Sequence, residues 1–136
     1  MSLRTLTAAV FGLAAWIFLP ALAQGPDDLW EVTANISMDG MRMPGAPTRV
    51  CARKGNTQNL VPVQDDCKTT DVKTAGNRTT YRVVCTGKDP MSGSGEMTTS
   101  PGGYRGMLKL SGKMDGEAVN MTTEYSGKRV GGCTAR

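Results

Sequence analysis

Turn-forming clusters recur through the second half of this chain, and the residues between them alternate as strand residues do. Asp115-Gly116 is the pair preferred at the tip of a tight hairpin, with residues 106–113 before it and 117–126 after it. Ser100-Pro101-Gly102-Gly103 marks a second turn between residues 93–99 and 104–112. Thr74-Ala75-Gly76-Asn77 marks a third between residues 68–73 and 78–86. Earlier, residues 29–38 set Trp30, Val32, Ala34 and Ile36 against Glu31, Thr33, Asn35 and Ser37, a period of two with one buried face. Residues 48–52 form another short strand. Asp39-Gly40 opens a loop expected to run through Met41, Met43 and Pro44 to Pro47. Residues 55–66 are irregular, with one helical turn expected near 57–60 and limited by Pro62. No stretch sustains helical periodicity. The expectation is an all-β fold: an antiparallel meander of about seven or eight strands in a curved sheet or partly closed barrel, with a two-sheet sandwich as the alternative.

The N-terminus carries a different pattern. Arg4, then an apolar run from Ala8 to Leu19 broken only by Gly12, then Ala21-Leu22-Ala23, is the order of a secretory signal and is too short for a membrane anchor. Cleavage is expected after Ala23, leaving a single β domain over residues 24–136 that lies in the periplasm and does not span the membrane. Removing 23 of 136 residues leaves 113 and takes away both phenylalanines and Trp16. What remains has Leu29, Leu60, Leu108, Leu110 and Ile36 as its larger aliphatics, and Trp30, Tyr81, Tyr104 and Tyr125 as its aromatics. So few large apolar side chains bury only a thin core, which leaves little margin over chain entropy.

Cysteines supply the missing margin. An even number, Cys51, Cys67, Cys85 and Cys133, in an exported small domain reads as two disulfides. Three connectivities are possible. Cys67 and Cys85 lie equidistant from Gly76, so a hairpin there sets them opposite each other, and Cys51 is left for Cys133.

The absence of histidine from the whole chain excludes Ser-His-Asp and Cys-His chemistry and any histidine metal site. Gly93-Ser94-Gly95 has Thr98 where a dinucleotide fingerprint needs glycine, and Gly112-Lys113 is followed by Met114, which is no phosphate loop. Asp65-Asp66 reads as a solvated turn pair. No catalytic residue and no cofactor are expected. Arg4 leaves with the signal, so 16 basic residues become 15 against 12 acidic, far from the dense basic stripe of a nucleic-acid binder. Arg49, Arg53, Lys54, Lys128, Arg129 and Arg136 would form a modest basic patch if Cys51 joins Cys133. Methionine is the compositional anomaly: nine occur, eight of them after Met1. Met97, Met107 and Met121 fall within strands and are expected in the core. Met38, Met41 and Met43 crowd one loop, where soft thioethers could hold Cu(I). Packing is the simpler role for them in a domain so poor in Leu, Ile and Phe.

Several of these features occur together in a known group. Leu29-Trp30-Glu31-Val32, Met38-Asp39-Gly40-Met41-x-Met43-Pro44, Val50-Cys51, Asp66-Cys67, Val84-Cys85, residues 91–96 and the closing Ser126-Gly127-Lys128-Arg129-Val130-Gly131-x-Cys133 resemble the exported proteobacterial domain-of-unknown-function family 3617. The resemblance spans nearly the whole mature chain, with a Met-Pro loop that is short for the family. It implies an exported, periplasmic protein and implies no activity. Together the sequence features point to a small non-catalytic binding or interaction module of the envelope, taking a lipid or other small apolar ligand or an envelope protein. A Cu(I) binder using the methionine loop is the alternative.

Overall fold

A computed structural model describes residues 25–56 and 60–135. The signal and its cleavage site, most of the expected turn at 57–60, and Arg136 lie outside the described residues. Eight strands account for most of the described chain: β1 Asp27–Met38, β2 Met41–Pro44, β3 Thr48–Ala52, β4 Cys67–Ala75, β5 Arg78–Cys85, β6 Met91–Ser100, β7 Gly103–Met114 and β8 Glu117–Cys133. All pair antiparallel in one sheet of order β2-β1-β8-β7-β6-β5-β4, curled into a half-barrel. No α-helix occurs among the described residues. The curved sheet is therefore the fold, and the sandwich is not.

From β4 to β8 the chain is a meander, each strand returning beside the last. The first strand then docks against the end of the chain, with β1 paired to β8 from Asp27↔Cys133 to Met38↔Met121. The other edge of β1 is shared: β3 covers residues 28–32 and β2 covers residues 35–38. Two expectations need correction here. The stretch Met41–Pro44 is a strand rather than loop, because Asp39 (φ 47°) and Gly40 (φ 85°) close a two-residue turn that starts the ladder at Met38↔Met41. Pro44 is tolerated because it ends an edge strand. In addition, β8 continues to Cys133, well past the expected end at residue 126, because β1 offers it a second partner after β7 has ended.

Alternation decides which residues are buried. Thr79, Tyr81, Val83 and Cys85 of β5 face inward, as do Tyr104, Leu108 and Leu110 of β7 and Val119, Thr123 and Tyr125 of β8. The segment from Leu60 folds back over this inner face, burying Leu60 and Val61. The opposite face is polar, carrying Thr80, Arg82, Ser94, Lys109 and Glu124. Met107, expected in the core, lies on that outer face at 36% exposure, since period two cannot bury it together with its neighbour Leu108 at 1%. Met97 is buried as expected.

Three tyrosines replace the missing aliphatic bulk, and glycines make room for them. Tyr81 stands across from Gly95, Tyr125 across from Gly106, and Tyr104 across from Gly127. Each ring lies over its glycine so closely that a Cβ there would fall 2.2–2.4 Å from ring carbons. Covering a strand glycine with a cross-strand aromatic shields backbone that would otherwise be open. The rings also join: Trp30 meets Tyr104 edge-on at 5.2 Å, and Tyr104 meets Tyr125 at 6.2 Å. Tyr81 and Tyr125 share a hydroxyl hydrogen bond of 2.5 Å, and the Tyr125 hydroxyl also reaches the Glu96 carbonyl at 3.4 Å. Burial pushes all three phenols above their ordinary pKa.

Candidate binding face

Both disulfides form as expected. Cys51–Cys133 ties β3 to the end of β8, and Cys67–Cys85 joins β4 to β5 at directly opposed positions. The second pairing arises from two compensating offsets. The hairpin pivots between Gly76 and Asn77, because Ala75 faces Arg78, and this alone would misalign the cysteines by one residue. A bulge at Asp71-Val72, with Asp71 at φ 51°, inserts the extra residue that brings Cys67 opposite Cys85.

The segment over the inner face is held at both ends. The Tyr104 hydroxyl donates to the Leu60 carbonyl at 3.2 Å. The Thr86 N–H donates to the Asp66 carbonyl at 3.1 Å, and the Cys67 N–H to the Gln64 carbonyl at 3.0 Å. Between these anchors Pro62 and Val63 roof a cavity of about 510 Å³. Its walls are Ala34 and Ile36 of β1, Met121 and Thr123 of β8, Leu108, Leu110 and Met114 of β7, Met91 of β6, and the Cys67–Cys85 bridge. Gln64, Asp66, Lys88 and Asp89 supply its polar groups. Lys88 is exposed and pairs with Asp115 at 3.4 Å, while Asp89 accepts the Asp115 N–H at 3.2 Å. The result is an apolar hollow with charged groups gathered at one end. A groove of about 790 Å³ on the outer face, between β4 and β7, is instead polar, with Lys73, Arg82 and Lys109 interspersed with Asp71 and Glu96.

The methionines of the expected loop reach the same inner face. Met41 stands opposite Met38, and Met43 opposite Ile36, so all of them share the side that carries the cavity. Met41 is 69% and Met43 46% exposed. The basic residues are brought to the β3–β1–β8 end but are interleaved with acids. Glu31 faces both Arg49 and Lys128 and pairs with Lys128 at 3.1 Å, and Arg129 binds Asp28 at 2.6 Å. Arg53 and Lys54 are exposed just beyond β3. The surface there is mixed in sign.

Sequence reading missed the cavity wall, although part of it follows from one turn. Centring the β7–β8 hairpin on Asp115-Gly116 places Leu110 across from Met121, and Leu108 across from Thr123. The contribution of Ala34 and Ile36 has no such local signal. Among the described residues no group of His, Cys, Asp and Glu is placed to hold a metal ion. No curated protein and no solved structure matches the chain. A family model does match, over residues 27–133, which takes in every strand from β1 to β8, and the chain therefore belongs to DUF3617, a family of proteins of unknown function.

Proposed function

We propose that this protein is a non-catalytic binding module of the periplasm that holds a small apolar or amphipathic molecule in the hollow of its half-barrel. The observation that carries the reading is the roofed cavity of about 510 Å³ on the inner face. Small-molecule sites run to roughly 300–1,000 Å³, with mostly apolar walls and a few placed polar groups, and this hollow has both properties. Three of its wall residues, Met91, Met114 and Met121, are flexible thioethers that adapt to the outline of an apolar guest. The charged groups lie at one end, which suits an amphipathic ligand lying with its tail under Pro62 and Val63. Periplasmic residence is supported by the two disulfides and by the apolar leader at residues 1–23.

The test uses the oxidised protein recovered from the periplasm. Titration with the apolar dye N-phenyl-1-naphthylamine should give saturable fluorescence that dodecanoate displaces. Met114→Trp, which fills the cavity, should abolish that signal, and Met107→Trp on the outer face should leave it intact. Equal dye binding by the two variants, or none by the parent protein, would refute the reading.

A further inference from the structure

The strand register assembles a methionine row that the linear sequence does not show. Met41 of β2 stands opposite Met38 of β1, and Met38 stands opposite Met121 of β8. Three adjacent strands thus place three methionines side by side on one face. Directly opposed residues have Cβ atoms about 4.5–5.5 Å apart, within easy convergence for side chains with three rotatable bonds. Met43 is one row away, across from Ile36. It belongs to the cluster in sequence but not in register.

From this juxtaposition we infer that Met38, Met41 and Met121 form a three-thioether site for a soft monovalent cation, Cu(I) in the cell and Ag(I) as its stand-in. The remaining chemistry of the chain narrows the ligand. Histidine is absent and all four cysteines are in disulfides, so thioethers are the only soft donors available. Thioethers are neutral. They offer no charge to a divalent ion and no proton to be displaced, and softness selects Cu(I) over Zn(II), Mg(II) or Ca(II). The hairpin that carries two of the three donors is closed by the tight Asp39-Gly40 turn, so Met38 and Met41 are held as a pair before any metal arrives. Met41 is 69% exposed on the inner face at the sheet edge, which gives the ion an open approach. Met38 and Met121 are half-buried behind it. Met121 is shared with the cavity wall, but Met38 and Met41 are not, so loss of copper binding in Met41→Leu tests this site without altering the apolar hollow.

The experiment is an anaerobic titration of the oxidised protein with Cu(I), competed against the chromophoric chelator bicinchoninate. A parallel titration with Ag(I) is followed through 13C-labelled methionine methyl groups. One equivalent should bind, and the methyl signals of Met38, Met41 and Met121 should shift together while those of Met97 and Met107 stay in place. Met38→Leu, Met41→Leu and Met121→Leu should each weaken binding by at least the roughly 10–100-fold seen on losing even an outer-shell partner. Met→Leu nearly conserves volume, so the variants fold. Met43→Leu and Met107→Leu should bind as the parent does. Affinity should be flat between pH 5 and pH 8, because no ligand proton competes. Parent-like binding by Met121→Leu, or methyl shifts spread over all exposed methionines, would overturn the three-strand site. Failure to compete with bicinchoninate at any ratio would overturn the assignment altogether.

Discussion

Gly106→Ala should be among the most destabilising single-methyl additions in the sheet, for reasons that can be worked from distances. A Cβ at Gly106 would lie 2.3 Å from both Cζ and the hydroxyl oxygen of Tyr125, and 2.6 Å from the Glu96 carbonyl oxygen. The ring cannot simply swing away. Tyr125 is 3% exposed, its hydroxyl bonds Tyr81, and its other side meets Tyr104. Overpacking of this kind costs about 1–3 kcal/mol. Shifting the ring also breaks the buried Tyr81–Tyr125 hydrogen bond, which adds about 1–2 kcal/mol for groups left unsatisfied. The smaller unfolded-state entropy of alanine returns about 0.4–1 kcal/mol. The net expectation is a loss of about 1–4.5 kcal/mol. Gly103→Ala is the matched control, since its nearest atoms stand at 3.5 Å in ordinary contact. Urea unfolding of the oxidised protein, followed by Trp30 fluorescence and far-UV circular dichroism, measures both. Repeating Gly106→Ala in a Tyr125→Leu background closes a double-mutant cycle, and the cost there should fall by at least about 1 kcal/mol. If Gly106→Ala costs no more than Gly103→Ala, or costs the same without Tyr125, the account of tyrosines packed on glycines is wrong.

Three further outcomes are expected. Losing Cys51–Cys133, which spans 82 residues, should cost more than losing Cys67–Cys85, which spans 18: about 4.5 against about 3.2 kcal/mol on loop-closure entropy, read from the urea midpoints of the paired Cys→Ala variants. Because burial holds the phenols of Tyr81, Tyr104 and Tyr125 above 10.0, the unfolded chain releases those protons first, so their contribution to stability is complete below pH 10 and declines as pH rises beyond it. Unfolding midpoints measured from pH 8 to pH 11.5 should show that decline, and Tyr125→Phe should reduce its slope. Limited peroxide treatment followed by peptide mass spectrometry should oxidise Met41 and Met43, at 69% and 46% exposure, well before Met97 at 1%.

Local pairings were legible because turns dictate them. Asp115-Gly116 and Pro101-Gly102 each sit at the tip of a hairpin, and alternation along residues 29–38 named the inward face of β1. The Cys67–Cys85 pairing was legible too, but symmetry about Gly76 reached it through two errors that cancel: the turn pivots half a residue later, and the Asp71-Val72 bulge restores the alignment. A bulge of that kind leaves no clear composition mark, since Asp71 only tolerates its positive φ. Met41–Pro44 read as loop because Gly45 and Pro44 dominate the composition, while the pairing that makes it a strand begins one residue after Gly40. The cavity was the least legible part. It depends on β1 docking beside β8 and on Leu60 being held by Tyr104, 44 residues away, and neither contact is written in any local pattern.

The seam between β1 and β8 also sets the order of assembly. Strands β4 to β8 can zip by successive hairpins, each closing a short loop, and β1 to β3 can form a small triplet of their own. Joining the two is the long-range event, with contacts such as Asp28 to Arg129 bridging 101 residues. Non-local pairing of this sort repays its closure entropy late, so it is the expected rate-limiting step of folding. Until it occurs, the meander offers an open edge at β8 and an uncovered apolar face, the combination most prone to off-pathway association. Ala34 and Ile36 arrive at the cavity only with that final docking, opposite Tyr125 and Thr123 of β8. Occupancy of the hollow and completion of the sheet are therefore coupled, and a guest that fits would slow the reopening of the seam.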